Sequence, residues 1–534
     1  MANAQLFQST PGPLLAAANS VNREGAPAYA LAPAHRLAQY AATGCLNATY
    51  YASAAAQLAD VLELCDGVES GFIAQTAVYC RERGYMKDMP ALLLAVLAAR
   101  GAPELAAAFS RVVNNGRMLR NFVQIVRSGV AGRKSLGTRP KKLVQQWLNN
   151  ATEQALLSAA IGASPSLADV LKMVHVKPSA PWREALFAWT LGKPYDVAAL
   201  PPVLQAYLAY QRDQALPVPA VPFQMLASMP LDATAWAQVA LQGGWHMVRM
   251  NLNTFARHGV FELPGLAKAI AAKLCDRQAI AKAQAFPYQL MAAYKAANGV
   301  PEVVREALQD AMEAALANVP RIEGKVVVCP DVSGSMQSPV SGYRAGGTTA
   351  VRCIDVAALV AAAMLRKNAG ATVLPFEQDV TACRLNPRDS VLTNADKLAA
   401  IGGGGTNCSA PLAWLNRQGE KADLVLYVSD NESWIDARRN GATQTMREWA
   451  IFKRRNPRAK LVCIDIAPYG TTQAQESADV LNVGGFSDEV FRIVAAFAAG
   501  QLQAEHWVGE IRAVNLNDGG GDGLENQLRR SEEG

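Results

Sequence analysis

Lys325-Val-Val-Val-Cys329-Pro-Asp331-Val-Ser333-Gly-Ser335-Met336 is the stretch whose reading decides the fold of the C-terminal part of this chain. A short run of β-branched residues without a polar interruption reads as a strand buried on both faces. It breaks at once into a polar loop, and the stretch from Cys353 to Lys367 that follows has helical patterning. The same alternation recurs with Ala371-Thr-Val-Leu374, Asp423-Leu-Val-Leu-Tyr-Val428 and Lys460-Leu-Val-Cys-Ile-Asp-Ile466, separated by helical segments such as Thr445 to Arg454. Ser487 to Ala499 reads as the closing helix. Apolar strands alternating with helices predict an α/β domain on a mainly parallel sheet.

The loop after the first strand sits where open α/β sheets place their ligands, at the carboxyl edge. Asp331 offers a carboxylate, and Ser333 and Ser335 offer hydroxyls at alternate positions, so one turn can aim three oxygens at a point. Two more loops from the same edge supply Thr406, in Gly402-Gly-Gly-Gly-Gly-Thr406-Asn407, and Asp430, after the strand that ends at Val428. Five oxygen donors suit a hard divalent cation such as Mg²⁺, which keeps several waters and needs no complete protein cage. The plainer reading of Asp331 and the serines is an Asx or ST turn capping the next helix. The glycine run could equally be a flexible turn or a phosphate cradle, but it lacks the Lys-Ser/Thr ending of a nucleotide-binding loop.

Toward the N-terminus, from about Tyr50 to Ala317, apolar residues recur at three- and four-residue spacing, with prolines where helices would begin, as at Pro90, Pro165, Pro202, Pro264 and Pro301. Many medium helices joined by short turns imply stacked helical pairs, although no strict repeat period is legible. At 534 residues the chain is too long for one core. The expected division is a helical domain over 1–320, an α/β domain over 321–514 and a flexible, Gly- and charge-rich tail over 515–534. Hydrophobic residues make up 51% and charged residues 18%, a composition that excludes wholesale disorder. The nine cysteines form no CxxC pair and no Cys/His cluster, which points to reduced thiols in the cytoplasm. No basic and apolar leader opens the sequence and no apolar run is long enough to span a bilayer, so neither secretion nor a membrane is expected.

The net charge of +6 is modest, but its distribution is uneven. Between Arg111 and Asn150 stand nine basic residues and no Asp or Glu. Gly132-Arg-Lys-Ser-Leu-Gly-Thr-Arg-Pro-Lys-Lys142 joins two helical patterns and presents cations with little apolar content, for which phosphate is the natural partner. Arg117, Arg120, Arg127, Arg133, Lys134, Arg139, Lys141 and Lys142 are the candidate contacts in this segment. Lys172, His175 and Lys177 follow near the end of the next helical pattern. The competing reading is a solvated basic face without a ligand. Trp147, Trp182 and Trp189 sit within apolar patterns and read as packing residues rather than base-stacking platforms. Arg249 and Arg257, near His246 and His258, form a weaker second basic candidate.

At Asp331, Ser333, Ser335, Thr406 and Asp430 the C-terminal part resembles a von Willebrand factor A domain, a Rossmann-like fold, with a complete metal-ion-dependent adhesion site. The resemblance implies that these residues hold Mg²⁺ directly or through water. A second resemblance spans both domains. Asn22-Arg-Glu-Gly-Ala-Pro-Ala-Tyr29, Thr49-Tyr-Tyr51, Arg81 to Pro90, Gly132-Arg-Lys-Ser-Leu-Gly137, His175-Val-Lys-Pro178 and Phe286-Pro-Tyr288 look like the TROVE module of Ro60-type proteins. The stretch from Val351 to Ala363 is similar to bacterial members of that family.

This resemblance implies a ring of HEAT-like helical repeats bridged by the von Willebrand domain. It further implies a monomeric, cytoplasmic, non-catalytic RNA-binding protein of a ribonucleoprotein. Small noncoding Y-like RNA would bind the basic outer surface, and single-stranded 3′ ends of misfolded or immature RNA would enter the central hole. RNA quality control or processing would then involve an exoribonuclease such as polynucleotide phosphorylase. The alternative is a metal-dependent scaffold that binds a partner protein through the von Willebrand domain. An enzyme is disfavoured because hydrolytic two-metal sites concentrate carboxylates, and this set has only Asp331 and Asp430.

Overall fold

The computed structural model describes residues 15–518 except 45, 284, 286, 341, 344–350, 369, 436–440, 503 and 504. Cys45, Phe286 and the tail from residue 519 therefore lie outside the described residues, and the other eight cysteines are free. Among the described residues no helix is long and apolar enough to cross a membrane.

The chain packs as two compact units, one made of residues up to Leu64 together with Leu316–Glu510, the other of Cys65–Ala315 with the residues from Ile511 onward. Residues 15–64 thus pack in the α/β unit. Their elements show why. β1 (Ser20–Val21) and β2 (Pro27–Ala30) form an antiparallel pair, and α1 (Pro33–Thr43) follows. Four further strands and two short ones belong to the same unit: β3 (Val326–Pro330), β4 (Thr372–Val373), β5 (Leu424–Ser429), β6 (Lys460–Asp465), β7 (Thr471–Thr472) and β8 (Val480–Gly484). β2 pairs with β7, Tyr29 opposite Thr472, and His35 of α1 meets the backbone carbonyl of Asn482 in β8 at 3.0 Å.

The main sheet is parallel throughout, in the order β4-β3-β5-β6-β8. Every residue of β3, β5 and β8 is buried, as expected for strands covered on both faces. The helix Cys353–Lys367 matches its predicted bounds, and from Cys353 to Leu365 it is buried. Its many alanines let it lie close against its neighbours. Val327, Cys329, Val425, Tyr427, Leu461 and Cys463 build one side of the core with Phe452 and Trp449. β8 was not legible in advance: Val480-Leu-Asn-Val-Gly484 is broken by a buried Asn482, whose side chain pairs with the Thr472 hydroxyl and the Glu476 carboxylate.

The other unit is helical. It begins at the end of α2 (Ala54–Asp66) and continues with α3 (Ser70–Glu82), α4 (Asp88–Arg100), α5 (Leu105–Val112), α6 (Gly116–Ser128), α7 (Thr138–Asn150), α8 (Glu153–Ala159), α9 (Leu167–Val174) and α10 (Pro181–Thr190). Helices continue through Glu302–Ala315. The prolines stand at or within two residues of helix starts, as predicted, and side-chain caps at Asn115, Thr152 and Ser166 complete others. In α4 every residue from Met89 to Ala98 is buried, so it forms the inner layer. α6 instead buries Met118, Leu119, Phe122, Val123 and Val126 and turns Arg117 and Arg127 outward.

Candidate metal centre and basic surfaces

β3 and β5 are neighbours in register, Pro330 opposite Val428, so the residues just past their ends emerge side by side. Those residues include Asp331 and Asp430. The Asp331 amide still bonds to the Val428 carbonyl at 3.0 Å. Its side chain is then held at both oxygens: Oδ1 accepts from the Ser333 amide at 2.9 Å, and Oδ2 accepts from the Ser429 hydroxyl at 2.6 Å. The Asx turn offered as the plain reading is therefore present, and it presents the hydroxyls. Ser333 Oγ and Ser335 Oγ lie 3.4 Å apart, and Ser335 is close enough to Asp430 to favour its charged form.

The glycine loop is tied to the first loop through its backbone. Gly334 N–H donates to the Gly404 carbonyl at 2.9 Å, and Gly402 takes φ +109° with the Val332 carbonyl oxygen 1.9 Å from where a Cβ would sit. Thr406 is joined to the third loop, its carbonyl accepting from the Trp434 amide at 3.1 Å and from the Ser433 hydroxyl at 3.4 Å. All five predicted donors are buried. Hydrogen bonds link Asp331, Ser333 and Ser335, Asp430 lies within their electrostatic reach, and Thr406 is brought in by its loop.

Burial pushes the Asp331 carboxyl up to about 7, with the Asp430 charge adding to it, and Asp430 is raised chiefly by burial. Among the described residues no lysine or arginine pairs with either carboxylate. Two buried like charges without a counter-ion fit a cation between them. Among the described residues no group of three His, Cys, Asp or Glu side chains is disposed to hold a metal. The donor set here is of another make, two carboxylates with three hydroxyls, which matches a hard, oxygen-seeking ion. Ser429, which steadies Asp331, and Glu432, pushed up to about 8 by burial and by Asp430, went unnoticed in the sequence.

In the helical unit the basic residues divide into two kinds. Arg133 donates to the Ala98 carbonyl at 2.8 Å and to its neighbour Ser135 at 2.8 Å. Arg139 reaches the Ala102 carbonyl at 2.9 Å and the Pro103 carbonyl at 2.7 Å. Both close the end of α4 with their guanidinium groups, a task for a fork of donors at a helix C-terminus. Arg127, Lys141 and Lys142, by contrast, line an open groove of about 560 Å³ with Gly137 and Thr138, the uncapped start of α7. Lys134 is exposed beside Gly129.

Lys172, His175 and Lys177 are also exposed. His175 caps α9 in the left-handed conformation, its amide bonding to Leu171. Gln145 and Asn149 of α7 bond to the carbonyls of Val174 and Lys177, so these three residues stand on the helix pair that borders the groove. Trp147 packs as expected, its indole donating to the Val113 carbonyl at 2.9 Å.

A second set of cations appears only in three dimensions. Arg81, at the end of α3, is pushed down to about 10 by burial and by the charge of Arg117. Lys87, ahead of α4, is lowered by burial and then by Arg117, Arg81 and Arg249. Arg249, from the helix Trp245–Met250, is pushed down to about 10 by burial. The Lys87 side chain is exposed. The Nε atoms of Arg81, Arg120 and Arg249 are buried without a hydrogen-bond partner among the described residues. Of this set Arg117 and Arg120 were predicted contacts and Arg249 a weaker candidate, whereas Arg81 and Lys87 were missed.

The fold and the five-donor edge define the α/β unit as a von Willebrand factor A domain. Residues 325–498 match the family model described as the Ro60 vWA domain. Beyond that domain, the chain is 25% identical over 523 residues to the RNA-binding protein RO60 of Deinococcus radiodurans, an alignment covering 90% of this chain and 95% of that protein. It is 26% identical over 255 residues to the RNA-binding protein RO60 of Caenorhabditis elegans, covering 44% of this chain and 37% of that one. The crystal structure of the Deinococcus radiodurans RO (RSR) protein shares the fold, with a TM-score of 0.63 at 22% identity over 88% of this chain and all of that one. Residues 325–498 thus carry the Ro60 type of von Willebrand factor A domain, and the chain is similar to RO60 proteins over nearly its whole length.

Proposed function

We propose that this chain is the non-catalytic, RNA-binding core of a Ro-type ribonucleoprotein. Small Y-like noncoding RNA docks on the α7–α9 face through Arg127, Lys141 and Lys142, with Lys134, Lys172, His175 and Lys177 around them. Single-stranded 3′ ends of misfolded or precursor RNA bind the cluster of Arg81, Lys87, Arg117, Arg120 and Arg249, and an exoribonuclease of the polynucleotide phosphorylase type acts on what is presented. The observation that carries the reading is the groove itself: Arg127, Lys141 and Lys142 have no ion pair among the described residues and share an uncapped helix start. Phosphate satisfies both. Arg133 and Arg139, spent on backbone carbonyls, are assigned to holding the groove in shape.

The test is binding of a stem-loop RNA with a single-stranded 3′ tail, titrated at several salt concentrations. Replacing Arg127, Lys141 and Lys142 together by Ala should weaken binding at least tenfold and reduce the salt slope by about 2 to 3, since each phosphate contact contributes about 0.7 to 0.9. Unchanged affinity and slope would exclude this face. Lys87→Ala with Arg249→Gln should weaken the tailed RNA and leave a blunt stem-loop unaffected.

A second role is supported by the buried donor set. Asp331, Ser333, Ser335, Thr406 and Asp430 would hold Mg²⁺ and, through it, a partner protein's carboxylate. This adhesion-type activity is compatible with RNA binding. Nearby carboxylates do not convert the site to a hydrolytic one: Asp465 is engaged by the Ala467 amide and Gln39, and Glu432 by the Arg23 amide.

A further inference from the structure

The metal edge is covered by the chain's own N-terminal segment. Asn22 bonds through Nδ2 to the Ser433 carbonyl at 2.6 Å, and the Arg23 amide donates to Glu432 Oε2 at 2.6 Å, so the β1–β2 turn is fastened to the loop that carries Asp430. Glu24, the next residue, accepts a hydrogen bond from the Tyr51 hydroxyl at 2.7 Å. That hydroxyl lies near Ser335, one of the five donors, and both Glu24 and Tyr51 lie within the electrostatic reach of Asp430. Tyr51 is set in place by an edge-on contact with Tyr469 at 5.1 Å and by Ala52 and Ala467.

What remains open at this edge is small. A cavity of about 20 Å³ is bounded by Ser335 and Asp430 on one side and by Thr43, Thr49, Tyr50 and Tyr469 on the other. That is room for about one water. Among the described residues, that cavity is too small to admit a partner's carboxylate.

We propose that the metal site of this chain is closed from within: Tyr51 and Glu24 stand where an external carboxylate would reach the donor set, so that an acidic partner must displace them. The inference rests on the metal reading and deepens it. Glu24 places a further carboxylate within electrostatic reach of Asp430 and is exposed, so it gains from a cation at the site and can also leave. The chain's own residues thereby supply the acidic group that the adhesion reading assigns to a partner, and a loaded site clamps the β1–β2 turn onto the α/β unit.

The experiment is Mn²⁺ titration of the full chain by electron paramagnetic resonance, with hydrogen exchange of the amides of residues 20–30 and 49–52 read in parallel. Wild type, Asp331→Ala, Glu24→Gln and Tyr51→Phe are compared, with acetate as the carboxylate probe. The proposal expects Mn²⁺ to slow exchange in these segments in wild type. It expects Glu24→Gln to lose that protection and to weaken Mn²⁺ about tenfold, the usual effect of losing a supporting group. It expects acetate to bind the Mn²⁺-loaded Glu24→Gln and Tyr51→Phe proteins more tightly than wild type. Binding that depends on Asp331 but is indifferent to Glu24 and Tyr51, in affinity, protection and acetate response, overturns the closure alone. Equal Mn²⁺ binding by wild type and Asp331→Ala overturns the metal reading and the closure with it.

Discussion

Gly402 is held at φ +109° against the Val332 carbonyl oxygen, a position no Cβ can share. Gly402→Ala therefore has to move the loop that carries Thr406 away from the one that carries Ser333. We expect about 1–3 kcal/mol of strain and a weakened response to Mg²⁺, checked by thermal melting with and without the ion. His35 makes a different prediction. Burial pushes it down to about 4, and its ring lies edge-on to Trp507 while meeting the Asn482 carbonyl. Its folded pKa lies below the unfolded value of 6.5, so the unfolded chain takes up the proton first as pH falls. The stabilisation is complete above pH 6.5 and is lost between there and about pH 4, amounting to about 3 kcal/mol. His35→Gln keeps a donor for Asn482 without the titration, so its stability in urea should fall less than that of wild type across this window. Parallel curves would remove His35 from the account.

The elements explain why some site residues were legible and others were not. Asp331 and Asp430 follow two strands whose unbroken apolar runs announce a parallel sheet, and parallel neighbours in register must deliver their carboxyl ends to one edge. β8 and the β1–β2 pair gave no such signal: one is interrupted by Asn482 and the others are two and four residues long. The basic stretch over α6 and α7 was visible as charge, yet charge does not say which cations are spent. Arg133 and Arg139 bind carbonyls about 35 residues back in the chain, while Lys141 and Lys142 face the groove. At this scale, Ser166→Ala should cost α9 its reciprocal cap with Asp169, about 1 kcal/mol, and loosen the groove's rim. Faster hydrogen exchange in α9 with slightly weaker RNA binding is the expected result.

For the whole molecule, the two proposed activities belong to different packing units, the metal edge to one and both cation sets to the other. Asp331→Ala should abolish stabilisation by Mg²⁺ and leave RNA affinity unchanged, and the Arg127, Lys141 and Lys142 replacement should do the reverse. A variant that lost both would show that the sites are coupled. The amino-acid pattern alone determined the helical and α/β classes, the strand ends that carry Asp331 and Asp430, and the acid-free run of cations. Each is written in local periodicity, loop glycines or composition, which neighbouring residues are enough to express. Only the tertiary structure decided that residues 15–64 join the α/β unit, that Arg249 lies within electrostatic reach of Lys87, and that Tyr51 and Glu24 stand near Asp430. Those pairings join residues hundreds of positions apart, and they follow from which buried surfaces fit together, a property that no local pattern encodes.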